Sequence, residues 1–88
     1  MNRQKLTNIP LSDFRRFLIE MGCERSESGT KGRGGHEKWV KKGLLRPITL
    51  QTHVDPISEL VIRNSFTTLG LTKQDFFNWY YGNPKKRN

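Results

Sequence analysis

Eighty-eight residues, 33% of them hydrophobic, make one small domain with a modest core, which leaves no room for a Rossmann unit or a separate substrate domain. Sixteen Lys and Arg against eight Asp and Glu give a formal net charge of +8, so polyanions, nucleic acid first among them, are the natural partners; the plain alternative is a solvated basic surface. A single cysteine, Cys23, excludes an internal disulfide and a Cys-based zinc site. No apolar run approaches a membrane span and the polar stretch Met1 to Thr7 is not signal-like, so a cytoplasmic location is expected.

In chain order, Pro10 and a capping Ser12 predict a helix over Asp13 to Met21, with Leu11, Phe14, Phe17, Leu18 and Met21 as its apolar stripe and Gly22 as its end. Cys23 to Ser28 fits an edge strand, and the glycines between Ser28 and Gly35 predict a loop. Strands follow over His36 to Lys41 and Leu45 to Thr52, with a turn near Lys42-Gly43. Asp55-Pro56 reads as the cap and first turn of a helix running to Leu69, stopped by Gly70. Thr72 with Asp75 three residues on, and Leu71 stapled to Phe76, open a last short helix. Gly82-Asn83-Pro84 ends it before a basic tail. The expected domain is therefore residues 1–82, with 83–88 as a disordered tail. The predicted class is α+β: an α-β-β-β-α order with a short extra C-terminal helix, and helices on one face of a three-stranded antiparallel sheet.

The register of the two long strands can be argued from burial. Ile48 and Leu50 define an inner face, and Trp39 joins it only when it lies opposite Ile48, which puts His36 opposite Gln51 on the open face with Lys38 and Thr49. His53 then falls opposite Gly34, about 7 to 8 Å diagonally from His36 at the Cα level. A slip by one residue would expose the indole and bury the imidazole, losing about 2 kcal/mol of apolar burial.

Imidazole titrates near neutrality, so His36 can take the proton of a ribose 2′-hydroxyl and let that oxygen attack the adjacent phosphorus. Gly34 and Gly35 let a phosphodiester approach the backbone and can offer it N–H groups, while Lys31, Arg33 and Lys38 can neutralise the developing charge. No cluster of carboxylates and histidines suggests a catalytic metal, and no cofactor is expected. His53 is either the acid that protonates the leaving 5′-oxygen or a loop residue. The plain reading of Gly-Gly-His is a turn followed by an ordinary strand residue. Phe76, Phe77, Trp79, Tyr80 and Tyr81 wrap more than one helix face, so core and partner interface are expected to share them, with Trp79, Tyr80 and Tyr81 as partner contacts. Cys23 reads as a small buried hydrophobe.

Across most of its length the chain resembles the HicA toxins of bacterial and archaeal toxin–antitoxin systems. The segments concerned are Asn8-Ile9-Pro10-Leu11, Phe14-Arg15-Arg16-Phe17-Leu18, Met21-Gly22-Cys23, Lys31-Gly32, Gly34-Gly35-His36-Glu37, Arg46-Pro47-Ile48, Thr52-His53, Ile62-Arg63-Asn64 and Leu69-Gly70-Leu71. The resemblance implies a double-stranded-RNA-binding-domain-like fold, an endoribonuclease (mRNA interferase) that is monomeric when free, a HicB-like antitoxin partner, and His36 as the catalytic histidine. His53 matches a second histidine position. Two departures stand out: the lead from Glu27 to Arg33 is longer than usual, leaving open which of Lys31 and Arg33 faces the site, and Val54-Asp55-Pro56 replaces a basic stretch. A non-catalytic RNA-binding module is the competing reading; a DNA-binding domain is weaker, because no helix carries Arg, Asn and Gln along one face.

Overall fold

The computed structural model describes residues 5–26 and 35–82. Helix α1 spans Leu11–Glu20, strands β1, β2 and β3 span Glu24–Ser26, His36–Val40 and Ile48–Gln51, and helices α2 and α3 span Glu59–Leu69 and Lys73–Tyr80. The sheet is antiparallel in the order β1-β2-β3, so the expected α+β layout holds. Lys31, Arg33, Gly34 and the tail 83–88 lie outside the described residues. Among the described residues, no helix is long and apolar enough to cross a membrane.

The period-two pleat sorts the sheet into two faces. Glu37, Trp39, Ile48 and Leu50 are buried under the helices, while His36, Lys38, Val40 and Thr49 are exposed. Trp39 lies opposite Ile48 and His36 opposite Gln51, the register argued from indole burial. Both strands are shorter than their apolar patterns suggest. Gly43 turns with φ +95°, Leu44 N–H donates back to the Lys41 carbonyl at 3.0 Å, and Pro47 has no N–H for a ladder, so the connection consumes 41–47 and leaves Leu45 98% exposed.

Four phenylalanines bind the three helices together. Phe14 and Phe17 of α1 meet Phe66 of α2 and Phe76 of α3, with Phe17 and Phe76 edge to face at 4.9 Å and Phe66 and Phe76 at 5.8 Å. Such pairs each add about 0.5–1.5 kcal/mol beyond the area they bury. The start of α3 is as expected: Asp75 N–H donates to Thr72 Oγ1 at 3.1 Å and Thr72 N–H donates to the Asp75 carboxylate at 2.8 Å, a complete capping box. Most of the terminal aromatic cluster is absorbed by the fold. Phe76 and Phe77 are buried, Trp79 and Tyr80 are half-buried against the core, and Tyr81 remains 43% exposed. The Tyr80 hydroxyl donates to the Asp13 carboxylate, and burial together with that carboxylate pushes the phenol up to about 12. Cys23 is buried, as expected, and burial raises its thiol against the opposing charge of Lys41.

The two other helix starts differ from expectation for one shared reason. Helix α1 begins at Leu11 with Pro10, not Ser12, at its N-cap, and no side chain of its own caps it. The acceptor comes from far along the chain: Leu11 N–H donates to Asp55 Oδ1 at 3.0 Å. With its carboxylate engaged there, Asp55 does not open α2, which starts at Glu59 after Ser58. Ile57 N–H also donates to the Ile9 carbonyl at 2.9 Å, so the β3–α2 connection is pinned to the residues preceding α1.

The deepest polar feature is Glu37, only 4% exposed on the inner face. Arg15 of α1 donates to both its oxygens, Nε to Oε1 at 3.1 Å and Nη2 to Oε2 at 2.8 Å; Trp39 Nε1 adds a bond at 3.0 Å, and Arg25 of β1 one at 3.4 Å. Burial alone would raise this carboxyl, but the bonds from Arg15 and Trp39 and the charges of Arg15 and Arg25 hold it below the usual carboxylate range. A carboxyl whose folded value is lowered contributes stability above its unfolded value, about 4.3, and loses it as pH falls through the folded value. We therefore expect Glu37→Gln to cost about 1–3 kcal/mol at pH 7 in urea denaturation, and the gap from the native chain to narrow as the pH falls below about 4. A gap that is constant with pH would show that the carboxylate charge is not what Arg15 and Arg25 hold.

Candidate active site

The open sheet face carries the histidine pair. His36 starts β2, directly after Gly35, and its side chain is fixed outward because Glu37 on one side of it is locked inward. His53 lies in the turn after β3, where Thr52 N–H continues the ladder by donating to the Gly35 carbonyl at 2.9 Å and Val54 N–H returns to the Gln51 carbonyl at 3.4 Å. The two rings stand 6.3 Å apart at their centroids, nearly perpendicular at 83°, and both are exposed. A proton-transfer group must come within about 2.6–3.2 Å of its target. Two exposed rings at this spacing are placed to flank one phosphodiester, each addressing a different oxygen.

Lys38 lies two residues along β2 on the same exposed face, opposite Thr49. The Gly35 carbonyl is committed to the ladder with Thr52, and the missing side chain leaves the backbone beside His36 open to approach. Lys31, Arg33 and Gly34, the other expected phosphate contacts, lie outside the described residues. Trp79 and Tyr80, expected as partner contacts, pack inward with Phe17 and Phe76, and Arg16 stacks over the Trp79 ring at 5.8 Å. Tyr81 is the most exposed of the terminal aromatics. Among the described residues, no group of three or more His, Cys, Asp or Glu could hold a metal ion. A groove of about 410 Å³ lies away from the histidines, toward the Ile48 end of β3, between that strand and α2.

Two residues that serve this site carry no functional signature in the sequence. Glu37 touches nothing on the open face but orients the strand that bears His36 and Lys38; its strict alternation with Trp39 was the available signal. Asp55 holds the loop bearing His53 through a bond between residues 44 positions apart, for which no local signal exists.

None of the family models, curated proteins or solved structures compared with the chain matches it.

Asp55→Ala should cost about 1 kcal/mol, as the removal of a helix cap usually does, whereas Ser12→Ala should stay within about 0.5 kcal/mol. Urea denaturation of both variants measures this. Proton NMR of the Asp55 variant should also show that the His36 and His53 rings no longer lie close together; an unchanged proximity would mean that the loop is held without Asp55.

Proposed function

We propose that the chain is a metal-independent endoribonuclease that cleaves mRNA, of the toxin kind implied by its resemblance to HicA, acting in the cytoplasm. The observation that carries this reading is the exposed His36–His53 pair, 6.3 Å apart beside Lys38 on the uncovered face of a sheet in a chain of net charge +8. His36 accepts the proton of a ribose 2′-hydroxyl as that oxygen bonds to the neighbouring phosphorus, and the bond from phosphorus to the 5′-oxygen breaks. His53 returns a proton to the departing oxygen. The products are a 2′,3′-cyclic phosphate and a free 5′-hydroxyl, with no net gain or loss of protons. Lys38, with Lys31 and Arg33 in the preceding segment, offsets the negative charge that accumulates on the phosphoryl oxygens.

A HicB-like antitoxin is the partner this reading requires. It would cover the His36 face, with Tyr81 as the aromatic best placed to reach it. One observation favours the competing reading, a non-catalytic RNA-binding module: both histidines are exposed on the sheet face turned away from the helices.

Incubation with long RNA in EDTA separates the two. Cleavage should yield cyclic phosphate ends and fall at least about hundredfold in His36→Ala, the usual contribution of a general base. Binding without cleavage supports the module, and cleavage that needs Mg²⁺ or survives in His36→Ala removes His36 from the mechanism.

RNA affinity should fall steeply with salt. Replacing Lys31, Arg33 and Lys38 together should flatten the dependence of log K on log salt by roughly 0.7 to 1 unit for each phosphate that is no longer neutralised, equally for different RNA sequences. An unchanged slope in filter binding would move the electrostatics to other basic residues such as Arg15 and Arg16.

A further inference from the structure

Among the described residues, strand β3 is an edge, because its one neighbour in the sheet is β2. Which of its backbone groups face the open side follows from the ladder. Thr52 N–H donates to the Gly35 carbonyl, so that opposed pair is a hydrogen-bonded one, and in an antiparallel ladder such pairs alternate with unbonded ones. Along the register, Leu50 and Ile48 therefore turn their backbone groups to β2, whereas Thr49 and Gln51 turn theirs outward. Pro47 has the same parity but no N–H, and the Gln51 carbonyl is taken by Val54 N–H. The open edge thus presents, in order, Pro47 C=O, Thr49 N–H, Thr49 C=O and Gln51 N–H.

Helix α2 flanks this edge. The groove between them is lined by Arg46 and Thr49 from the strand side and by Val61, Asn64 and Thr68 from the helix. A peptide that adds to an edge strand sends alternate side chains to opposite sides, and here one set would enter the groove. Arg46 makes no ion pair among the described residues, and Val61 supplies an apolar contact. A phosphodiester fits this edge poorly, since its oxygens only accept hydrogen bonds and Thr49 C=O requires a donor. A second copy fits poorly too, since each chain carries +8.

We propose that the β3 edge and the groove beside α2 dock an acidic, extended segment of a partner protein by strand addition, with an Asp or Glu of that segment on Arg46. The groove lies at the Ile48 end of β3, away from the histidine pair, although the Gln51 end of the edge adjoins it, and the inference does not depend on cleavage of RNA.

The test uses the full chain, labelled with ¹⁵N, and a synthetic library of ten-residue peptides carrying Asp or Glu at alternate positions and Val, Ile or Thr between them. In the free chain, the Thr49 and Gln51 amides should exchange with solvent much faster than Leu50. Bound peptide should slow both at least tenfold and shift the Asn64 and Thr68 resonances. Arg46→Glu should weaken binding at least tenfold, and Asn64→Trp, on the exposed face of α2, should block the groove without touching the sheet. Peptides with Lys in place of the acids should not bind. The proposal is overturned if Thr49 is already protected in the free chain, if no library member binds, or if both variants bind as the native chain does. It is also overturned if a twelve-residue oligouridine shifts Thr49 and Asn64 while the acidic peptides do not, which would make the groove a nucleic-acid surface.

Discussion

A carboxylate on the inner face of a thin sheet is the constraint around which this chain is arranged. Withdrawing a charge from water costs several kcal/mol unless partners replace the lost solvation, and Glu37 finds its partners on three separate pieces of chain. Arg15 must arrive from α1, Arg25 from β1, and Trp39 from the next inward position of β2 itself. Helix, edge strand and central strand are thereby placed relative to one another by a single side chain. The period of two then does the rest, since a strand that turns Glu37 inward must turn His36 and Lys38 outward. A group wholly remote from the solvent face thus decides what that face displays.

The opposite layer solves a different problem, how so small a chain covers one side of a sheet. The phenylalanine cluster lets three short helices share one apolar centre, and the half-buried Trp79 and Tyr80 close its rim. With most of the aromatic side chains committed there, the described residues leave little to shield the other side of the sheet. The exposed histidines, Lys38 and Thr49 are what remains uncovered once the core is complete.

Much of this was legible in the sequence, and the reason is that it rested on local period or local chemistry. The alternation of His36, Lys38 and Trp39 against Ile48, Thr49 and Leu50 settles the register, and the Thr72–Asp75 box marks the start of α3. What could not be read depends on encounters across the chain. Ser12 and Asp55 both have the chemistry of a cap. Only the folded arrangement decides that Asp55 serves α1, leaving Ser12 idle and α2 to begin later, at Glu59. Glu37 was visible as a charge in a basic stretch, yet its burial needed an arginine from another element to be tolerable. Which of the terminal aromatics enter the core and which stay at its rim could not be read either, because the depth of the helical layer is a tertiary property.

The bond from Tyr80 to Asp13, with the packing of Phe76 and Trp79 on Phe17, joins the last helix to the first across a separation of 67 residues. During synthesis α1 is made early, meets Phe66 when α2 follows, and gains the rest of its aromatic lid only once α3 has left the ribosome. Contacts so distant in sequence form late, because the loop they close must be ordered before they stabilise anything. Until then the Phe14 and Phe17 face is only partly covered. A nascent chain that stops short of α3 is thus left with an unfinished helical layer beneath the sheet that carries both imidazoles.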